Sequence, residues 1–364
     1  MAGVTTSSTL SGQFRAFFSK ELLSYAVQNT ILDQFARKAP IPKQAGHKSI
    51  TMFRYGVPSI ANVTAMTEGT PDALSTSHQL ALSSITKALA QYGHLVTVTD
   101  IMKATELFNS VSQAVKVSAQ NMTLWCDSVV RNVAVGSNLT SSNGSIGSAQ
   151  EGGGSLDNSD TLVEVYGRPA STTQSYTGLN SDTTTCTVDG ATILDLMTKL
   201  KRNRAPELDG GGYAYVTDPR IARDLMRDTD WLVASNQSGN NGKPMYRGEV
   251  GSLYGCKVVE QTNSFISLGS ATAGDRAIYA VSGGGGTGSG KDIIASFAVG
   301  SEAWGVPQLS GDSPFSPQVN ILDKADKTDP HNQQIVVATK AYFCALRLNP
   351  NYYIVHRAKT GHTL

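Results

Sequence analysis

The sequence is short of charge. Asp, Glu, Lys and Arg make up 16% of its 364 residues, against about 25% in an average globular chain. The formal net charge is +1, so no global field draws in nucleic acid or an anionic membrane. One dense basic run, Lys199, Lys201, Arg202 and Arg204, falls at the end of an expected helix. Cations suit that end of the helix dipole, and a solvated helix end accounts for them. No stretch reaches the roughly 18 apolar residues of a membrane span. The four cysteines, Cys126, Cys186, Cys256 and Cys344, form no C-x-x-C pair. Cys126 and Cys344 sit in apolar periodic segments and read as small core residues. The opening "MAGVTTSSTLSGQF" lacks the apolar h-region of a signal peptide. A reducing cytoplasm is the expectation, with the sequons at Asn62 and Asn121 as chance matches.

Catalytic signatures are missing too. There is no G-x-S-x-G elbow and no H-E-x-x-H, and the histidines (His47, His78, His94, His331, His356, His362) are scattered. Asp323, Asp326 and Asp329 have a spacing that suits a cation, but without the glycine and distal Glu of an EF-hand they read as a solvated acidic loop. The stretch "GGGGTGSGKD" (283–292) carries Gly285-x-x-x-x-Gly290-Lys291, most of a P-loop, and the Gly283-x-Gly285-x-x-Gly288 spacing of a dinucleotide turn. A P-loop needs Ser or Thr after the lysine and a helix behind it. Here Asp292 would repel the phosphates, and "DIIASFAV" is strand-like. No catalytic residue, cofactor or metal site is expected. A nucleotide-binding enzyme using Gly283–Lys291 stays as a distant alternative.

Gly, Ser, Thr, Ala and Asn take the place of charge. A surface so composed suits burial against other protein; the alternative is a β-rich domain with uncharged polar loops. An amphipathic helix is expected from Phe14 to Phe35. Pro40 and Pro42 detach it from the rest of the chain as an arm rather than a core element. Residues 48–99 read as one long two-stranded hairpin with an elaborate tip. Such a ribbon is marginal in water and needs a surface to lie on. Leu107, Val111, Val115, Ser118, Met122, Trp125, Val129 and Val133 predict a long helix with a narrow apolar stripe, one face on a sheet. Residues 136–160 are a low-complexity loop. A compact α/β unit comes next. Asp189 caps a helix with Ile193, Leu194, Met197 and Leu200 on one face, "YAYVT" is a strand, and Asp218-Pro219 opens another helix. "MYRGEVGSLYGCKVVEQTN" (245–263) reads as a strand, a glycine-marked turn and a second strand. "RAIYAV" and "DIIASFAV" are strands, and "QQIVVATKAYFCALRL" is a long strand returned by "YYIVHR" after the Asn349-Pro350-Asn351 turn.

Several segments together resemble one family. "TEGTPD" (67–72) at a hairpin tip, "QYGHLVTVTD" (91–100) before a long helix, "YAYVTDPRIARDLMRDTDWL", "RGEVGSLYGCKVVE" and "SEAWGVPQL" are similar, in that order, to the major capsid proteins of tailed bacteriophages, most closely the coat proteins of N-four-like podoviruses. The resemblance implies an α+β chain with the HK97-type capsid fold. Residues 1–47 would be an N-terminal arm, 48–99 an extended hairpin loop lying over a neighbour, and 100–185 a peripheral domain with a spine helix and a Ser/Gly-rich insertion. Residues 186–305 would be an axial domain, and 306–364 a return to the peripheral domain. It also implies hexamers and pentamers closing an icosahedral shell around double-stranded DNA, in a virion assembled in the bacterial cytoplasm. Scaffolding, portal and decoration proteins are expected partners; sequence-specific DNA binding and membrane contact are not. An encapsulin-like compartment, with the same fold and a protein cargo, is the nearest alternative. Interface residues are expected at Glu68, Gly69, Thr70 and Pro71 (hairpin tip), Arg54 and Lys87 (ion-pair formers), and Phe14, Phe17, Phe18 and Tyr25 (arm anchors).

Overall fold

The computed structural model describes residues 31–39, 49–55, 68, 82–105, 110–135, 164–166, 187–237, 248–267, 280–281, 293–307, 318–322 and 331–359. A 3₁₀ turn (Leu32–Phe35) leads into β1 (Arg37–Ala39). Next come β2 (Ser49–Tyr55), β3 (Leu82–Ala88), β4 (Ala90–Thr99), the short helix α1 (Asp100–Thr105) and the long helix α2 (Ser110–Val135). After β5 (Glu164–Tyr166) an α/β unit runs through α3 (Gly190–Arg202), β6 (Tyr213–Thr217), α4 (Pro219–Met226) and α5 (Thr229–Gln237). It continues through β7 (Glu249–Leu253), β8 (Cys256–Glu260), β9 (Phe265–Ser267), β10 (Ala280–Val281) and β11 (Ile293–Val299). β12 (Trp304–Pro307), β13 (Gln318–Leu322), β14 (Gln334–Phe343), β15 (Leu346–Arg347) and β16 (Tyr353–Lys359) complete the chain.

Helix starts agree with their caps. Asp189 accepts from the Thr192 N–H at 2.9 Å and its hydroxyl at 2.6 Å, fixing the first turn of α3. Asp218 accepts from the Arg220 N–H at 3.0 Å, with Pro219 in the first turn of α4. The stretch read as one helix from Asp218 is two, because Asp228 intervenes. Its carboxylate takes the Thr229 N–H at 2.8 Å and the Gly190 N–H at 2.6 Å, serving the starts of α5 and α3 together. On α3 the expected inward Leu194 is 46% exposed, and Leu196 fills the core instead.

Strands of the α/β unit form an eight-stranded mixed sheet. β7 and β8 pair antiparallel about a Tyr254-Gly255 turn with positive φ at both residues. β8 lies parallel to β6. β11 bonds β6 and β9 along one edge and β16 along the other, over seven residue pairs. β5 adds beyond β16, and β10 beyond β9. β16 therefore belongs to this sheet. It does not fold back on β14: its seven residues are all buried, and its partners are β11 and β5.

A second, three-stranded sheet has the order β13-β14-β4, with β4 and β14 paired antiparallel over ten residues. On its inner face Val98 and Ile335 are buried, and Val319, Val337, Ala341 and Phe343 are buried in one cluster with α2. Helix α2 has 26 residues, or about 39 Å at 1.5 Å per residue. Its buried face is wider than the predicted stripe. Ala114, Ala119, Cys126, Val130 and Ala134 are buried beside Val115 and Met122. These small residues let the backbone lie close to the sheet. Trp125 closes one side, its ring 3.8 Å from Tyr92 and 5.6 Å from Phe343. A buried polar joint ties α2 to the segment after β8. Arg131 donates to Asn263 Oδ1 at 2.7 Å, and Asn263 donates to the Leu124 carbonyl and the Ser128 hydroxyl.

The expected arm differs at its end. Leu32 and Phe35 are core residues. The Ile31 N–H donates to Asp127 of α2 at 3.0 Å, and Trp304 Nε1 donates to the Leu32 carbonyl at 3.2 Å. β1 then pairs parallel with β12. This segment is part of the core because its two large apolar side chains fill the space between α2 and Trp304, with Pro40 coming only afterwards.

Candidate subunit interface

β2 and β3 pair in register from Ser49↔Ala88 to Tyr55↔Leu82. Period-two alternation splits the ribbon into two faces. Ile50 and Met52 point inward and are buried with Cys344, Leu346 and Leu348, with Ile85 packed beside them. The fit is close: a Cβ on Gly305 would overlap the Met52 sulfur. Arg54 also faces this way and donates through Nη1 to the Leu348 carbonyl at 3.2 Å. A ribbon that would be marginal alone is thus anchored at its base on its own chain.

The outer face carries Thr51, Phe53, Leu82, Ser84, Thr86 and Ala88, all exposed, and no charge. Thr51 and Thr86 hydroxyls bond across the strands at 2.9 Å, while Phe53 and Leu82 are each 54% exposed. Beside the ribbon a cleft of about 560 Å³ runs between Arg37, Lys38, Phe53 and Tyr352. Its cations are answered within the chain, Arg37 by Glu302 at 3.2 Å and Lys38 by Asp33 at 3.1 Å. It is not built to hold an anion.

A second open surface is the outer face of β13-β14-β4. Leu95, Ala338 and Asn320 form one cross-strand row, and Thr97, Val336 and Leu322 the next. Leu95 is 64% and Leu322 55% exposed. α1 continues this surface: none of its residues is buried, and Ile101 and Met102 are open to solvent. Six residues make too short a helix to persist by propensity, and an apolar pair on it fits a covered position.

Of the predicted interface residues, Phe14, Phe17, Phe18, Tyr25, Gly69, Thr70 and Pro71 lie outside the described residues. Glu68 is an exposed turn residue. Arg54 and Lys87 share the inner face of the ribbon, Arg54 opposite Ser83 and Lys87 opposite Ile50, with the Met52–Ile85 pair between them. Lys87 lies near Cys344, whose thiol burial pushes up to about 12 while the ammonium pulls it down. The sequence reading missed Phe53, Leu82, Leu95, Ile101 and Met102 as surface residues. The alternation in "SITMFRY" and "LSSITKA" defines two faces of the ribbon but does not say which one is exposed.

Burial raises the thiols of Cys126 and Cys256 well above the ordinary range, so neither is a ready nucleophile. No group of His, Cys, Asp and Glu among the described residues is placed to hold a metal ion, and no helix among them is long and apolar enough to cross a membrane. Gly283–Lys291 lies outside the described residues. The next described element, β11, is a strand paired on both edges, where a phosphate site needs a helix N-terminus.

No protein-family model matches the chain, and no curated protein matches it. Solved structures do. The capsid of Ralstonia phage GP4 superposes with a TM-score of 0.61 at 11% identity, covering 91% of this chain and 88% of that one. The cyanophage Pam1 capsid gives 0.58 at 15%, covering 88% and 87%. The acid-stable capsid of Helicobacter pylori bacteriophage KHP30 gives 0.56 at 12%, covering 92% and 90%. Similarity this low in sequence and this complete in length is similarity of fold: the chain has the α+β architecture of the HK97-type phage capsid proteins.

Proposed function

We propose that this chain is a phage major capsid protein. It assembles as hexamers and pentamers into an icosahedral shell that encloses double-stranded DNA, in a virion built in the host cytoplasm. The observation that carries the reading is the structural match of 88–92% of this chain to three phage capsid structures. Two partly apolar faces that this chain leaves open support it: the uncharged outer face of the β2–β3 ribbon, and the outer face of β13-β14-β4, where Lys340 is the one charged residue among the described strand positions. Such faces fit a subunit that meets neighbours on several sides, where modest contacts multiply through avidity. Arm, hairpin loop, peripheral and axial regions keep the divisions at 47, 99, 185 and 305 in this proposal, with the end of the arm and β16 drawn into the core. The low net charge suits a wall that must release packed DNA. The order of "TEGTPD", "QYGHLVTVTD" and the later segments favours N-four-like podoviruses among the possible relatives. Scaffolding, portal and decoration proteins are the partners to seek.

Expression of the chain and negative-stain microscopy of the product test the reading. Closed shells of uniform diameter are expected. A protein that stays monomeric at high concentration, with or without crowding agents, overturns it. Nuclease-resistant DNA in particles from infected cells separates a phage head from a compartment with a protein cargo.

A further inference from the structure

Two surfaces of the eight-stranded sheet lie at its opposite edges and differ in chemistry. At the open β7 edge, Leu232 and Val233 of α5, Val250 of β7 and Tyr254 of the β7–β8 turn are 51%, 49%, 38% and 45% exposed. Trp231 packs beneath them against Gly251, where a Cβ would sit 2.8 Å from the indole. Asp228 and Asp230 border this apolar corner, and the Tyr254 hydroxyl donates to Asp230 at 3.2 Å. Desolvation, that hydrogen bond and the charges of Asp230 and Asp228 raise the Tyr254 phenol above its ordinary range. Arg223 of α4 and Arg227, which follows that helix, are also exposed, so the corner carries charges of both signs.

The far surface is the end of α3. Lys199, Lys201, Arg202 and Arg204 are all exposed, and among the described residues none of them makes an ion pair. The backbone pins this end: Asn203 donates to the Asn351 carbonyl at 3.3 Å, and Arg204 sits at φ 55°. The neighbouring carboxylate, Glu207, is engaged by the Gly212 N–H at 3.1 Å.

Two rulers agree on the separation. The first residue of α3, Gly190, is held by Asp228 beside the β7 corner, and the helix ends near the Asn349–Tyr352 turn that feeds β16. Its 13 residues span about 20 Å. The strand path β7-β8-β6-β11-β16 crosses four gaps, or about 19 Å. One sheet thus offers an apolar corner bordered by charges of both signs on one edge and a cationic helix end without ion pairs among the described residues on the other.

The geometry points to an edge-to-edge contact between copies of this chain: the Lys199–Arg204 end of α3 in one subunit docks against the Leu232–Tyr254 corner of the next. Unlike surfaces at opposite edges make a head-to-tail contact, which closes into a ring when repeated. The apolar corner supplies affinity, while the cations and Asp230 fix register and suppress wrong pairings. This contact rests on the shell reading and names what would hold its capsomers together.

A charge swap tests it. The full chain is compared with the Lys199→Glu/Lys201→Glu/Arg202→Glu variant, with Asp230→Lys, and with the two combined. Particle yield is read by microscopy, self-association by sedimentation at low and high salt, and folding by circular dichroism. The triple variant should lose at least about tenfold in association at low salt with an unchanged spectrum, and the combination should recover most of it. Val233→Asp, a charge on the apolar corner, should weaken association at both salt concentrations. Assembly of the triple variant equal to the parent, or no recovery in the combination, overturns the contact. Charge-dependent association without closed particles would preserve the contact and remove the shell. No self-association of the parent at all would remove both.

Discussion

β16 and β3 are both seven residues long and use burial in opposite ways. β16, "YIVHRAK", buries every residue; β3, "LSSITKA", alternates, with every second residue exposed. Polarity runs against expectation. The buried strand holds His356, Arg357 and Lys359, while the exposed face of the ribbon holds no charged side chain. β16 is flanked by two strands, and its His356 finds a buried partner, Nδ1 lying 2.9 Å from the Tyr215 hydroxyl. Each ribbon strand has one neighbouring strand, and the outer face has no covering layer within the chain. A solvated antiparallel face is usually polar. This one is composed for contact with protein. The finished core and the unfinished surfaces should therefore respond differently to substitution.

The sharpest test of the finished side is Trp304→Ala. Trp304 is fully buried, stacks edge-on with Phe297 and Tyr353, and holds the Leu32 carbonyl. Its removal should cost about 3–5 kcal/mol. A stability loss from denaturant unfolding of less than a fifth of that would mean the two sheets and the 3₁₀ turn do not share one core.

Tyr215→Phe is a smaller cut into the same region. The ring stays, and His356 loses a buried partner. A loss of about 1–3 kcal/mol is expected, visible in thermal or urea unfolding. An unchanged midpoint would show that β16 gains nothing from this bond and would erase part of the contrast with β3.

The sequence announced these two regions unequally. Caps at Asp189 and Asp218, the strand "YAYVT" and the long helix were readable because each has a local signature: a short polar side chain before a periodic run, or a β-branched cluster. Cys126 and Cys344 were rightly placed in the core on the same grounds. The placement of β16 was not readable. "YYIVHR" says strand and cannot say which strand it joins, and its partner β11 is more than fifty residues earlier. The core role of Leu32 and Phe35 was hidden for the same reason, since their neighbour Trp304 lies 272 residues away. Narrowing α2 to eight stripe residues undercounted alanines, which pack tightly while adding little to an apolar pattern. On the candidate interface, the two ribbon strands could be read, but their exposed face could not, because one residue of register decides which face is which.

The unfinished side should show the smallest effect on folding and a large one on assembly. Phe53→Lys on the ribbon and Leu95→Lys on β4 add a charge where each side chain is more than half exposed. Away from buried features, surface substitutions change stability by about 0.5 kcal/mol or less, so unfolding midpoints should barely move. Each charge would have to be desolvated under a neighbouring subunit, where an unpaired charge is costly. Particle yield should fall steeply for both variants, while Thr97→Ser on the same outer sheet face should assemble normally. If both lysine variants formed shells as well as the parent, these faces would be ordinary solvent surfaces, and the contrast between β16 and β3 would say nothing about partners.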